Sequence, residues 1–81
     1  MAPDDALAQA LGLLGRSRLA MKRTGGGRVE RAYLLEQARQ MLDQAREALA
    51  RSDVAGDAER KIFEDIEATL VKAEKDLARE P

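Results

Sequence analysis

Residues 28–51 read RVERAYLLEQARQMLDQAREALAR, and this stretch decides the fold. At about 100° per residue, Leu34, Leu35, Ala38, Met41, Leu42, Ala45, Ala48 and Leu49 gather on one side of a helical wheel. Glu36, Gln37, Arg39, Gln40, Asp43, Gln44, Arg46, Glu47 and Arg51 occupy most of the other side. That is the period of an amphipathic helix and not the alternation of a strand. Leu35, Leu42 and Leu49 stand seven apart with Ala38 and Ala45 between them, an a/d seam. Alanine in such a seam lets a neighbouring helix come close but buries little area per contact. A dimerising coiled coil and an intramolecular bundle face both use this pattern, and the shortness of the stripe favours the second. Arg39–Asp43 and Glu47–Arg51 form i,i+4 pairs of opposite sign, each adding about 0.2–0.5 kcal/mol.

Two breaks bound this helix. Residues 24–27, TGGG, hold three consecutive glycines and cannot be helix interior. They read as a flexible linker that lets the preceding segment fold back or reach another subunit. Residues 52–57, SDVAGD, form the second break, with Gly56 as a turn residue and Asp57 as the N-cap of the next helix. So short a connection favours antiparallel neighbours.

Upstream, residues 4–23 read as a first helix. Pro3, Asp4 and Asp5 suit its start, and Lys22 and Arg23 suit its end. Ala6, Leu7, Ala10, Leu11, Leu13, Leu14, Ala20 and Met21 cover about half the wheel, an arc wide enough for two neighbours. Gly12 and Gly15 lie outside the arc and weaken the helix by about 1 kcal/mol each relative to Ala. This helix is therefore expected to be the least stable of the set. Val29 and Tyr33, off the main stripe of the central helix, suggest a local contact with it. Downstream, residues 58–80 read as a third helix, with Ile62, Phe63, Ile66, Thr69, Leu70, Ala73 and Leu77 on one face. Arg60–Glu64, Lys61–Asp65 and Lys72–Asp76 pair along its exposed side, and Val71 stands alone off the face. The expectation is an all-α fold in one domain spanning residues 1–81. An antiparallel hairpin of 28–51 with 58–80 carries the shorter N-terminal helix, as a three-helix bundle closed on itself or assembled as a dimer.

Composition agrees with this class. Charged residues make up 36% of the chain, Ala and Leu dominate, and the only aromatics are Tyr33 and Phe63. An 81-residue chain builds a modest core, and the absence of Cys and His excludes disulfides and the usual structural zinc sites. A partner subunit would supply the missing stabilisation. The net charge of −1 gives no overall attraction to nucleic acid or to an anionic membrane. The acidic MAPDD start is unlike a secretory signal, and no apolar run is long enough to span a bilayer, so a cytoplasmic location is the default expectation.

The strongest candidate site is basic. Arg16, Arg18, Lys22, Arg23, Arg28 and Arg31 crowd around the TGGG linker, opposed only by Glu30. Backbone amides at a helix start together with several guanidiniums can hold an anion or nucleic acid. The contiguous glycines and the preceding lysine do not make a Walker A loop, and a lone tyrosine does not make a base-stacking surface. Solvated basic flanks of a linker are the simpler reading. Acids outnumber bases from Asp53 onward, so this segment and the third helix can attract each other, although a solvated acidic face is again simpler.

Residues 53–64 have the length of an EF-hand loop. However, Ala55, Ala58 and Arg60 stand where an acid or amide, a glycine and an apolar residue are required. No catalytic residue, metal ligand set or cofactor site is assigned: without His or Cys, the hydroxyls of Ser17, Thr24, Tyr33, Ser52 and Thr69 lack an evident base.

The expected function is thus a non-enzymatic helical module for protein–protein interaction or homo-oligomerisation. Leu7, Leu11, Leu14 and Met21 on the first helix and the Leu35, Leu42 and Leu49 seam are the candidate interface. Anion or nucleic-acid binding through residues 16–31 is one alternative. A small helical chaperone or accessory subunit of a larger complex is another.

Overall fold

The computed structural model describes residues 5–23 and 26–80. Three helices, α1 (Asp5–Lys22), α2 (Arg28–Arg51) and α3 (Asp57–Ala78), form an all-α three-helix bundle, with no strand among the described residues. Gln9 meets Arg51 and Ser17 meets Ala38, so α1 runs antiparallel to α2. Arg31 meets Glu80 and Arg46 meets Glu67, so α2 runs antiparallel to α3. The bundle is elongated, with a radius of gyration of 13.8 Å.

Local chemistry sets the helix ends. Gly26 takes a positive φ of 77°, a region that favours glycine, and the Glu30 side chain folds back over it. Gly27 is the extended N-cap of α2, and its carbonyl accepts the first helical bond from the Arg31 amide at 3.1 Å. Two of the linker's glycines thus shape the start of α2, while Thr24 and Gly25 lie outside the described residues, as do Pro3 and Asp4. Arg23 falls beyond the end of α1.

At the second break, the Ser52 hydroxyl accepts hydrogen bonds from the amides of Val54 (3.2 Å) and Ala55 (3.1 Å), closing the turn. The N-cap of α3 is Gly56 and not Asp57. The Gly56 amide donates to the Glu59 carboxylate at 2.8 Å, the reciprocal half of a capping box, which draws Asp57 into the first turn. At the far end α3 stops at Ala78. The Glu80 amide reaches back only to the Leu77 carbonyl, at 3.2 Å, so residues 79 and 80 lie past the regular helix.

The core comprises Ala10, Leu13, Leu14 and Ala20 from α1, Ala38, Leu42, Ala45, Ala48 and Leu49 from α2, and Phe63, Ile66 and Leu70 from α3. Its alanines decide the packing order. Ala10 and Ala20 face a helix carrying Ala38, Ala45 and Ala48, and α1 packs most extensively on α2. The larger Phe63, Ile66 and Leu70 hold α3 further off. The shorter N-terminal helix, and not the hairpin partner α3, therefore packs most on α2. Ser17 marks this close approach: it is fully buried, and its hydroxyl donates to the Ala38 carbonyl across the interface at 3.0 Å.

The face of α3 is narrower than its pattern suggests. Thr69 is exposed and donates its hydroxyl to the Asp65 carbonyl one turn back, and Ile62 is exposed at the edge of the face. Val71, expected in solvent, is half-buried.

Candidate functional site

The structure draws most of the candidate interface inward. Leu14, Leu42 and Leu49 are core residues, and Leu7, Met21 and Leu35 pack half-buried against them. Leu11 is exposed at 43%. The leucine seam of α2 thus faces α1 and α3 of its own chain.

The six basic residues separate into three groups. Arg28 and Arg31 turn to α3, where Arg31 pairs with Glu80 and Arg28 lies 3.9 Å from the same carboxylate. Arg28 also donates to the Leu77 carbonyl at 3.4 Å. Arg18 and Lys22 border a shallow depression between α1 and α3, with Asp65, Ile66 and Thr69 opposite. Arg16 and Arg23 border the other side of α1, beside α2, and Arg23 also reaches the cavity at the end of the bundle that Asp76 and Glu80 line. The helical phase explains the division: Arg16 and Arg23 are seven apart and share a side, while Arg18 and Lys22 are four apart and share the opposite one.

Arg28 and Arg31 belong to a longer row of α2 arginines that pair with glutamates of α3 and of the segment just past it. Arg39 binds Glu74 through two nitrogens, at 3.2 Å from Nε and 2.7 Å from Nη2, and has Glu67 at 4.0 Å. Arg46 pairs with Glu67 and lies over the Phe63 ring, 5.2 Å from its centroid. The hydrogen bond to Glu74 raises the Arg39 guanidinium above its ordinary range against the opposing effect of partial burial, and the charges of Glu74, Asp43 and Glu67 add to the rise.

Three arginines expected to pair four residues away within their own helix take other partners. Arg39 is hydrogen-bonded to Glu74 and not to Asp43, Arg51 donates to Gln9 at 3.4 Å, and Arg60 approaches Asp57 at 3.9 Å. The acidic third helix is thus in part an intramolecular partner and not wholly a solvated face. A signal was present in the sequence: Arg39 and Arg46 are seven apart on α2, as are Glu67 and Glu74 on α3.

Two other concave features border the N-terminal half of α2. A cavity of about 220 Å³ opens at the end of the bundle, with Met21, Leu34, Leu35 and Leu77 among its lining and the Arg31–Glu80 pair at its edge. A longer groove of about 320 Å³ runs between α1 and α2 on the face away from α3. It is lined by Arg16, Leu19 and Ala20 from α1, by Arg23 just past its end, and by Tyr33, Leu34, Gln37 and Met41 from α2. Leu19 is 64% and Tyr33 60% exposed, and Val29, one turn before Tyr33, is 85% exposed. Tyr33 thus shares a groove with α1, but Val29 stands in solvent instead of making the expected contact.

Among the described residues no helix is long and apolar enough to cross a membrane, and no cluster of acidic side chains is grouped to hold a metal ion. Comparison with family models, curated proteins and solved structures finds no match to this chain.

Proposed function

We propose that this protein is a non-enzymatic interaction module that presents the outer α1–α2 face of its bundle to another protein. One observation carries the reading. Of the six large apolar side chains exposed among the described residues, two (Leu19 and Tyr33) line a single groove, and Val29 precedes Tyr33 by one turn of α2. Scattered exposed apolar residues are ordinary, whereas grouped ones beside a concave surface mark an interaction site. The remaining chemistry of the chain supports a binding role. It has no His or Cys, and its best-organised charged groups, the α2 arginines and α3 glutamates, hold helix to helix.

The test is site-specific photo-crosslinking in native extract, with the photoreactive residue placed at Leu19 or, as a control on other faces, at Asp43 or Lys61. Light scattering across a wide concentration range would accompany it. A discrete adduct from position 19, absent from the controls, is the expected result. A mass that stays monomeric together with no adduct from any of the three positions would sink the reading. A dimer crosslinked through position 19 would make the partner a second copy.

A further inference from the structure

We infer that the α1–α2 groove is the docking site of an acidic amphipathic helix from another protein, a proposal that rests on the interaction reading above and names the partner's chemistry. The groove's length and shape come first. One wall runs from Arg16 on α1 to Arg23 just past its end, and the other on α2 from Tyr33 to Met41, a span of about 12 Å, or two helical turns. It lies between two helices and offers no sheet edge. An extended peptide laid there would leave its backbone groups without partners, whereas a helix satisfies its own and inserts only side chains. The half-buried Leu34 and Met41, together with the more exposed Leu19 and Tyr33, offer apolar contact, and methionine adapts readily to the shape of a partner.

Charge identifies the occupant. Arg16 and Arg23 border the groove and are exposed, and no carboxylate lines it. Neither arginine makes an ion pair among the described residues, although Arg23 also borders the end cavity that Asp76 and Glu80 line, whereas Arg28, Arg31, Arg39 and Arg46 are all matched to Glu67, Glu74 or Glu80. Two exposed guanidiniums seven residues apart along one groove ask for two carboxylates with the same period, with apolar side chains three and four positions after the first. No exposed helical face of this chain has that pattern. Glu36 and Asp43 enclose Arg39 and Gln40, and Asp57 and Glu64 enclose Arg60 and Lys61. Glu67 and Glu74 enclose Leu70 and Val71, but Leu70 is fully buried and both glutamates are already paired. A second copy therefore lacks the complementary helix, and the partner is a different protein.

The probe is a synthetic 21-residue helix with glutamate at the first position of each heptad and leucine at the fourth and fifth, labelled for fluorescence anisotropy. Its counterpart carries lysine in place of glutamate. Binding of the acidic helix is expected to weaken by about tenfold or more in the double variant Arg16→Glu/Arg23→Glu, and similarly in Leu19→Ser/Tyr33→Ser. All four side chains are exposed, and circular dichroism would verify that both variants fold. Amide shifts in the labelled protein should concentrate in residues 16–23 and 33–41. The inference is overturned if the lysine helix binds as well as the acidic one, if the arginine variant binds unchanged, or if the shifts fall on another face. Concentration-dependent dimerisation lost in Leu19→Ser/Tyr33→Ser would overturn it in favour of a second copy. Low-salt binding of duplex DNA that displaces the helix would overturn it in favour of nucleic acid. Failure of the helix probe combined with a crosslinked partner on a different face would remove this inference and leave an interaction role standing.

Discussion

Ser17 offers the sharpest test of the packing. Its hydroxyl lies 3.0 Å from the Ala38 carbonyl and is fully buried, so the backbones of α1 and α2 approach closely at this point. In Ser17→Ala the interhelical hydrogen bond is lost, at a net cost of about 0.5–1.5 kcal/mol. The Ala38 carbonyl lies within α2 and keeps its helical bond, so no buried acceptor is left unmatched. Alanine also returns up to about 0.7 kcal/mol of helix propensity. The net loss should be about 1 kcal/mol or less. Ser17→Leu is different, because its extra carbons meet a backbone already in hydrogen-bond contact. Overpacking of this kind costs about 1–3 kcal/mol, and here α1 must move off α2 to relieve it. Thermal unfolding followed by circular dichroism reads the difference, since 1 kcal/mol moves the midpoint of a domain this size by about 4–8 °C. The expected order is wild type at or slightly above Ser17→Ala, with Ser17→Leu clearly lowest. A leucine variant as stable as the wild type would refute the close α1–α2 contact.

Other substitutions probe the helix starts and the ion pairs. A Cβ at Gly12 would meet nothing nearer than the flexible end of Arg16 at 3.8 Å, and one at Gly15 would meet nothing within 4 Å, so Gly12→Ala/Gly15→Ala should stabilise the bundle by about 1–2 kcal/mol in urea unfolding. The same change at Gly26 should act in the opposite direction, by about 1 kcal/mol or more, because φ is positive there and the Glu30 side chain occupies the space; a neutral Gly26→Ala would contradict that start for α2. A double-mutant cycle with Arg39→Met and Glu74→Gln should give a coupling of about 0.5–1 kcal/mol that weakens in salt, and a coupling of zero would show that the two-nitrogen contact adds nothing to stability.

The helices themselves were legible because hydrophobic period and glycine breaks mark them locally. The bounds of α2 come directly from TGGG and SDVAGD. The order of packing was harder to see. Alanines at positions 38 and 45 announced a close neighbour, but which helix came close depended on matching small residues at Ala10, Ser17 and Ala20, a pairing that no single helix reveals. Ser17 stood in the sequence only as a hydroxyl without a base, because its role exists only opposite the Ala38 carbonyl. The basic segment looked like one cluster in the linear sequence, yet helical phase turns Arg16 and Arg23 away from Arg18 and Lys22, and α3 claims Arg28 and Arg31. Tyr33 could be recognised as off-pattern, but that it shares one groove with Leu19 is a product of the antiparallel pairing of α1 with α2.

The alanine-lined contact between α1 and α2 also bears on how stability varies with temperature. Unfolding raises the heat capacity mainly by wetting apolar surface, by about 12–15 cal/mol/K per residue in an average domain. An interface built on Ala10, Ala20, Ala38, Ala45 and Ala48 exposes less such surface when it opens than one built on leucines. The heat-capacity increment of this bundle should therefore lie at or below the low end of that range. Its stability curve would then be shallow and broad, changing little between cold and warm conditions instead of peaking sharply near room temperature.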